Sequence, residues 1–330
     1  MGRFFSLNDK KFTTLDEQVA LLKTRKLIIS DEQNAKRYLL TNNYYNIING
    51  YSKFFPHKGD EYTKHTTFEE ITRLYLFDKE LKQAFLKAIL EIEAHLKAVF
   101  AYRFAEAYPN IPYAYLHTSS YDSTKILIVG EMISRLSKTI KKQKRFTNTS
   151  ICHYIKKYND VPIWVLVNYL NFGELRHMIL CSPVSIQNKI AKDMFRFIKP
   201  QIPKASIFPP ETMLSFLANI NDVRNVCAHN NRLINFNCRA AVKYWPELHD
   251  TFNINLLVKQ PRRDVYTVFL STKCFLSAME HAALHNKIRK LINGHLRNHL
   301  YSVQVNDILA TLGFPPNWNL HTPKIDTTKT

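Results

Sequence analysis

Apolar residues recur at steps of three, four and seven along most of the chain, the period of one helix face rather than the alternation of a half-buried strand. The clearest run is Ile71, Leu74, Leu81, Phe85, Ala88, Ile92, Leu96 and Val99, which predicts a long helix reaching about Ala107. It opens at Thr67-Phe68-Glu69-Glu70, a capping box in which the Thr hydroxyl and the Glu carboxylate each satisfy a backbone N–H of the first turn. Thr14-Leu15-Asp16-Glu17 predicts another such start, with a helix over about 15–27. Ser30-Asp31-Glu32-Gln33 repeats the signature and opens a helix that weakens around Thr41-Asn42-Asn43 and ends before Gly50. The aromatic cluster Tyr44, Tyr45, Tyr51, Phe54 and Phe55 reads as a docking surface for later helices, with base stacking as the alternative.

Prolines and tyrosines from Pro109 to about Tyr121 predict an irregular connection, and 124–142 is again helix-like. The apolar stretch Pro162–Leu170 suits a buried helix ending near Phe172-Gly173, a core strand being the weaker option. Pro200, Pro203, Pro209 and Pro210 punctuate a linker before Glu211–Val226, where Met213, Phe216, Leu217, Ile220 and Val223 return to helical spacing. The tail after Pro315 is expected to fray. Seven glycines in 330 residues leave few left-handed turns, which argues against a sheet-rich fold and against a Gly-rich phosphate loop. The fold class expected is all-α.

Charge then narrows the partner. Lys and Arg outnumber Asp and Glu by 46 to 27, and a net charge of +19 attracts polyanions, nucleic acid first, with an anionic membrane or an acidic protein as alternatives. The densest basic run is Lys138, Lys141, Lys142, Lys144 and Arg145 around Phe146, able either to track a phosphate backbone or to form a solvated helix end. Cys152, Cys181, Cys227, Cys238 and Cys274 are odd in number and form no C-x-x-C pair, the usage of reduced thiols in cytoplasm. The N-terminal residues lack the apolar core of a signal peptide, and no segment has enough apolar residues in a row to span a bilayer, so a cytoplasmic location without membrane contact is expected.

Polar chemistry concentrates in Asn221-Asp222-Val223-Arg224-Asn225-Val226-Cys227-Ala228-His229-Asn230-Asn231-Arg232, where an apolar helix runs out. Five residues on one helix rotate Arg224 and His229 apart by about 140° and displace them by roughly 7.5 Å. Their convergence therefore needs either a helix break near Ala228, capped by Asn230 or Asn231, or a second copy of the chain supplying the opposing pair. An imidazole can move the proton of a ribose hydroxyl and a guanidinium can hold a phosphate with two N–H groups, a combination suited to RNA cleavage without a metal or other cofactor. The structural alternative is an Arg paired with a carboxylate and a His closing a helix end.

The stretch Arg224–Asn235 resembles the hallmark of the Abi-like family of abortive-infection proteins, the AbiD and AbiF group of the HEPN superfamily. Similar landmarks occur in order at Phe12-Thr13-Thr14-Leu15-Asp16-Glu17-Gln18 with Leu21-Leu22, Asn43-Tyr44-Tyr45 with Gly50-Tyr51, and Phe77-Asp78-Lys79-Glu80-Leu81. They continue at Ile92-Glu93, Pro162-Ile163-Trp164-Val165 with Phe172-Gly173, and Gly313-Phe314-Pro315 with Asn317-Trp318. The resemblance implies an antiparallel helical bundle that dimerises, with an N-terminal helical segment over 1–66, the bundle over 67–320 carrying a basic insertion near 105–160, and a frayed tail over 321–330. It further implies a metal-independent endoribonuclease toxin of bacterial phage defence, its site assembled across a homodimer. Arg224 and His229 match the superfamily's R-x(4–6)-H motif, with Asn225 as the polar residue after the Arg; the family often has a second His where this chain has Asn230. Arg232, Asn230, Lys141, Lys142, Lys144 and Arg145 are the residues expected to contact RNA, and a structured RNA partner is compatible with the charge.

Other arrangements compete. His281/His285 and His295/His299 have helical zinc spacing but lack the Glu of a zincin, which favours structural or surface roles. Cys227, His229 and Cys238 lack a fourth ligand. Glu91, Glu93, His95 and Lys97 read as an exposed charged flank, or as a carboxylate source for a catalytic group. The second function class is a dimeric helical module that binds RNA or protein without cutting; a third is a toxin controlled by modification of its tyrosine-rich surface.

Overall fold

A computed structural model describes residues 12–254 and 262–326. In chain order the helices are α1 (Leu15–Thr24), α2 (Glu32–Asn42), α3 (Phe68–Ala107), α4 (Ile126–Gln143), α5 (Ser150–Tyr158), α6 (Ile163–Leu166), α7 (Phe172–Cys181), α8 (Val184–Gln201), α9 (Pro210–Ala228), α10 (Pro246–His249), α11 (Val265–Ser271), α12 (Ala278–Leu291), α13 (Val305–Thr311) and α14 (Trp318–His321). Among the described residues the only strands form a two-residue hairpin, β1 (His57–Lys58) with β2 (Glu61–Tyr62), so the all-α expectation holds. None of the described helices is long and apolar enough to cross a membrane. The expectations for the first ten residues lie outside the described part.

Two compact units divide the chain, 1–82 with 287–324, and 83–286 with the residues after 324; the cuts fall inside α3 and α12. In the first unit the predicted capping boxes form. Thr14 accepts from the Glu17 N–H at 3.2 Å while Glu17 accepts from the Thr14 N–H at 2.7 Å. Asp31, rather than Ser30, caps α2, because its carboxylate reaches the Asn34 N–H at 2.9 Å and Ser30 instead donates to Glu69. That helix breaks where it was expected to weaken: it stops at Asn42, Asn43 takes φ 65°, and a π turn over Tyr45–Asn49 follows. Tyr51 and Phe55 are buried as expected, but Tyr45 is 69% exposed.

Glu70 does more than cap α3. Its second oxygen, buried with the residue at 2% exposure, accepts from the backbone N–H groups of Tyr301 and Ser302 at 2.7 and 2.8 Å and from the Ser302 hydroxyl. A chain segment more than 200 residues away is thereby tied to the start of α3. Replacing Glu70 with Ala is expected to lower folding stability by about 2 to 3 kcal/mol, because it strands two backbone donors as well as the cap; urea denaturation measures it. Contrary to the fraying expected after Pro315, Trp318 is 4% exposed and packs edge-on against Phe314, while Asn319 donates to Asn293 at 2.7 Å.

The second unit is built around the later turns of α3 and around α9. Phe100, Phe104, Phe216, Leu217, Ile220 and Val223 are almost fully buried, and α7, α8 and α11 all pack on α9. Two expectations fail here for one reason. The stretch after Pro162 makes a single turn of helix, α6, then a 3-10 turn over Val167–Tyr169. Phe172-Gly173 starts a helix instead of ending one, because Asn171 and Glu174 form a capping box across the first turn of α7. Trp164 is consequently not buried but 54% exposed. The expected linker is shorter than its prolines suggest: Pro200 lies within the last turn of α8, and Ile202, Ala205 and Phe208 between α8 and α9 are buried.

Glu93 and His95 are not an exposed flank. Glu93 is 8% exposed and pairs with Lys97 at 2.7 Å; His95 stacks on Phe197, its Nδ1 at 2.9 Å from the Phe275 carbonyl oxygen. His281 and His285 are buried against Phe269.

Candidate functional site

Helix α9 begins where Pro210 occupies the first helical position, its missing N–H costing nothing there. One face buries Met213, Phe216, Leu217, Ile220 and Val223, and the helix continues to Ala228 with His229 as its C-cap. The His229 N–H still donates to the Asn225 carbonyl at 3.0 Å, so His229 keeps its place on the helical path. Its side chain therefore leaves the helix about 140° around from that of Arg224. The break comes at the next residue. Asn230 adopts φ 54°, its N–H donates to the Cys227 carbonyl, and the Asn231 N–H donates to the Val226 carbonyl at 3.0 Å. These two bonds make a Schellman ending with Asn in the left-handed position.

Asn230 thus has a structural task at the place where the resemblance led us to expect a second His. Asn230→Ala is expected to cost about 1 kcal/mol in urea denaturation, and Asn230→Gly close to nothing, since only the former pays for left-handed backbone with a Cβ.

Beyond the ending, Leu233 and Ile234 are buried and anchor the returning loop, while the Arg232 Nε–H donates to the Ile234 carbonyl at 3.1 Å. The loop then folds back on α9. Asp222, 8% exposed, accepts from the Arg239 backbone N–H at 3.1 Å and from its guanidinium at 3.0 and 2.5 Å. The carboxylate nearest the motif in sequence is thereby committed to holding the loop.

Arg224 is half-buried. One Nη–H lies 3.4 Å from the Asn225 side-chain oxygen, and its Nε–H is buried without a hydrogen-bond partner. His229, Asn230 and Asn231 are exposed. Arg224, Asn225, His229, Asn230 and Arg232 thus share one helix end and its loop. Lys141, Lys142, Lys144 and Arg145 are on a different element, exposed at the end of α4 and in the turn beyond it.

The motif helix has a neighbour that the sequence reading passed over. Gly173 sits so close to α9 that a Cβ there would meet the Asn221 side-chain oxygen at 3.5 Å and that of Asn171 at 3.3 Å. One turn on, the Arg176 guanidinium donates to His177 Nε2 at 3.0 Å, which makes the ring a neutral imidazole protonated on Nδ1. Burial, then the positive charges of Arg176 and Arg135, hold the His177 pKa below its usual value. Arg176 also has a buried Nε–H with no partner, and burial lowers its pKa while nearby Asp222 opposes the shift. Two guanidinium groups with unspent donors, Arg176 and Arg224, stand on packed helices. The Asn171-x-x-Glu174 cap followed by Arg-His was the sequence signal for this pair.

All five cysteines are free and buried, and among the described residues no group of three or more His, Cys, Asp or Glu is placed to hold a metal ion; Cys227, His229 and Cys238 form no such group.

A search of curated proteins and a search of solved structures both return no match to this chain. A protein family described as "Abi-like protein" does match, over residues 37–235, a span that runs from α2 through α7 and α9 to the loop after the helix end. Since that match takes in more than half of the chain and the whole of the Arg224–His229 segment, the chain belongs to the Abi-like protein family and so to abortive-infection phage defence.

Proposed function

We propose that this chain is a metal-independent endoribonuclease toxin of the HEPN type, acting as a homodimer in which the Arg224 guanidinium of one copy meets the His229 imidazole of the other. The observation that carries the reading is the late helix ending. With His229 still on the helical path, one chain presents an accessible imidazole and a half-buried guanidinium in divergent directions. Two such helix ends facing each other across a dyad bring each Arg toward the opposing His, the self-complementary arrangement of a twofold interface.

In that site one imidazole accepts the proton of the ribose 2′-hydroxyl as its oxygen attacks the adjacent phosphorus. The bond from phosphorus to the 5′-oxygen breaks, the leaving oxygen takes the proton from the imidazolium so formed, and the products are a 2′,3′-cyclic phosphate and a 5′-hydroxyl. Arg224 stabilises the charge gathering on the non-bridging oxygens, and Asn225 is a positioning residue for that guanidinium. Asn230 and Arg232 edge the site, and Lys141, Lys142, Lys144 and Arg145 hold the polymer, whether the substrate strand or a structured RNA partner.

The test compares RNA from cells expressing wild type, Arg224→Ala and His229→Ala during phage infection, mapping new 5′ ends and cyclic phosphates. New ends that vanish in both variants support the reading. Identical profiles, with RNA still bound by all three proteins, would leave the non-catalytic RNA-binding module instead.

A further inference from the structure

From Met132 to Asn159 the chain contains Arg135, Lys138, Lys141, Lys142, Lys144, Arg145, Lys156 and Lys157 and not one Asp or Glu. Folding leaves this charge in solvent on two helices packed against each other. Helix α4 buries Val129, Met132 and Leu136, and α5 packs on it through a face containing buried Ile151 and Cys152, which leaves all eight cations at least partly in solvent. Lysines at the ends of α4 and α5 also suit the helix dipoles, but a dipole gives no reason for what lies between them. Phe146 is 51% exposed and Tyr158 55% exposed; the Tyr158 ring leans on Tyr154 at 5.3 Å and has the Lys157 ammonium 5.2 Å from its centre.

The platform is held firmly. Thr149 caps α5 through the Cys152 N–H, and Tyr169 is bonded to both the backbone N–H and the hydroxyl of Ser150. The surface also leads toward the motif. Glu131, Met132 and Arg135 of α4 line one small cavity with Glu174 and His177 of α7, and α7 in turn packs on α9. Along α4 the step from Lys142 back to Arg135 is about 10 Å.

We propose that α4 and α5 form a track for unpaired RNA, its phosphates held by the lysines and its bases stacked on Phe146 and Tyr158, leading along α4 past Arg135 and His177 to the motif helix. RNA as the polymer is taken from the ribonuclease reading above; the strandedness comes from the rings. A base pair inside a duplex hides both of its faces, whereas an unpaired base offers them to an exposed ring. An anionic membrane fits less well. The exposed large apolar residues of α4, Ile126, Leu127 and Ile128, sit at the end opposite the cationic one, roughly 20 Å away, whereas an interfacial helix carries charge and apolar surface side by side along its length.

The experiment uses full-length His229→Ala protein, so that the probe survives, and fluorescence anisotropy with a labelled 20-nucleotide unstructured RNA and a blunt RNA duplex of equal length over a salt series. Wild-type surface is expected to prefer the single strand. Lys141→Glu, Lys142→Glu, Lys144→Glu and Arg145→Glu together should weaken single-strand binding by about 30-fold or more and flatten the salt dependence. Phe146→Ala with Tyr158→Ala should weaken it by roughly tenfold, leave the salt slope alone and not affect the duplex. Unchanged melting temperatures confirm that these exposed positions do not carry the fold. Equal or tighter duplex binding, indifference to the loss of both rings, or displacement of the RNA by phosphatidylserine vesicles would each overturn the proposal. Cleavage by the parent protein with binding insensitive to these variants defeats the track alone, and the expected binding pattern without any cleavage defeats the ribonuclease reading alone.

Discussion

Mixing Arg224→Ala protein with His229→Ala protein is expected to restore RNA cleavage to about a quarter of the wild-type rate, although each variant by itself should be almost inactive. The figure follows from symmetry. Random exchange makes half of the dimers mixed, and a mixed dimer keeps one of its two trans pairs, the Arg of one copy with the His of the other. Each parent should fall by roughly two to four orders of magnitude, the usual loss when a proton carrier or a preorganised charge donor is removed. Arg224→Lys should recover only part of the rate, since an ammonium keeps the charge but lacks the planar pair of donors. Cleavage of a labelled RNA after subunit exchange measures all of this. No recovery in mixtures shown by native mass spectrometry to contain mixed dimers would place both groups in one chain and refute the shared site.

Acidification should begin to destabilise the second unit above the range where carboxylates titrate. Burial holds the His249 pKa down at about 4, with one ring nitrogen at hydrogen-bond distance from the Trp245 backbone and Nε2 buried without a partner. His281, packed on Phe269, is pushed well below its usual value by burial and by Lys273. In the unfolded chain both rings bind a proton near pH 6.5, so between pH 6.5 and 4 the unfolded state holds more protons than the folded one. Stability is therefore complete above pH 6.5 and is lost as the pH falls through this window. His249 alone accounts for about 3 kcal/mol of that loss, and His281 adds to it. Urea denaturation at pH 7 and pH 5 measures the slope, and His249→Phe should flatten it. A variant as acid-sensitive as the parent would show that another group is responsible.

The helices that were legible in sequence are those whose information is local. Thr14 with Glu17 and Thr67 with Glu70 announce their helices because both halves of the cap lie within one turn. Asn171 with Glu174 carried the same message, but the apolar run before it suggested a helix passing through, and only the observed cap separates α6 from α7. Trp164 looked buried by composition, yet a residue's place in the core depends on which turn faces the neighbours.

By itself the sequence determined an all-helical chain, the family to which it belongs, and the placing of Arg224, Asn225 and His229 within the last turns of one helix, because period, caps and motif spacing are properties of nearby residues. Tertiary structure alone decided that Asp222 is occupied by Arg239, that Glu70 binds the segment at Tyr301 and Ser302, and that α7 packs on the motif helix with Arg176 near Asp222 while His177 faces α4. Such partners are chosen by packing between distant segments, where a buried donor or acceptor must find a complement whatever its distance along the chain.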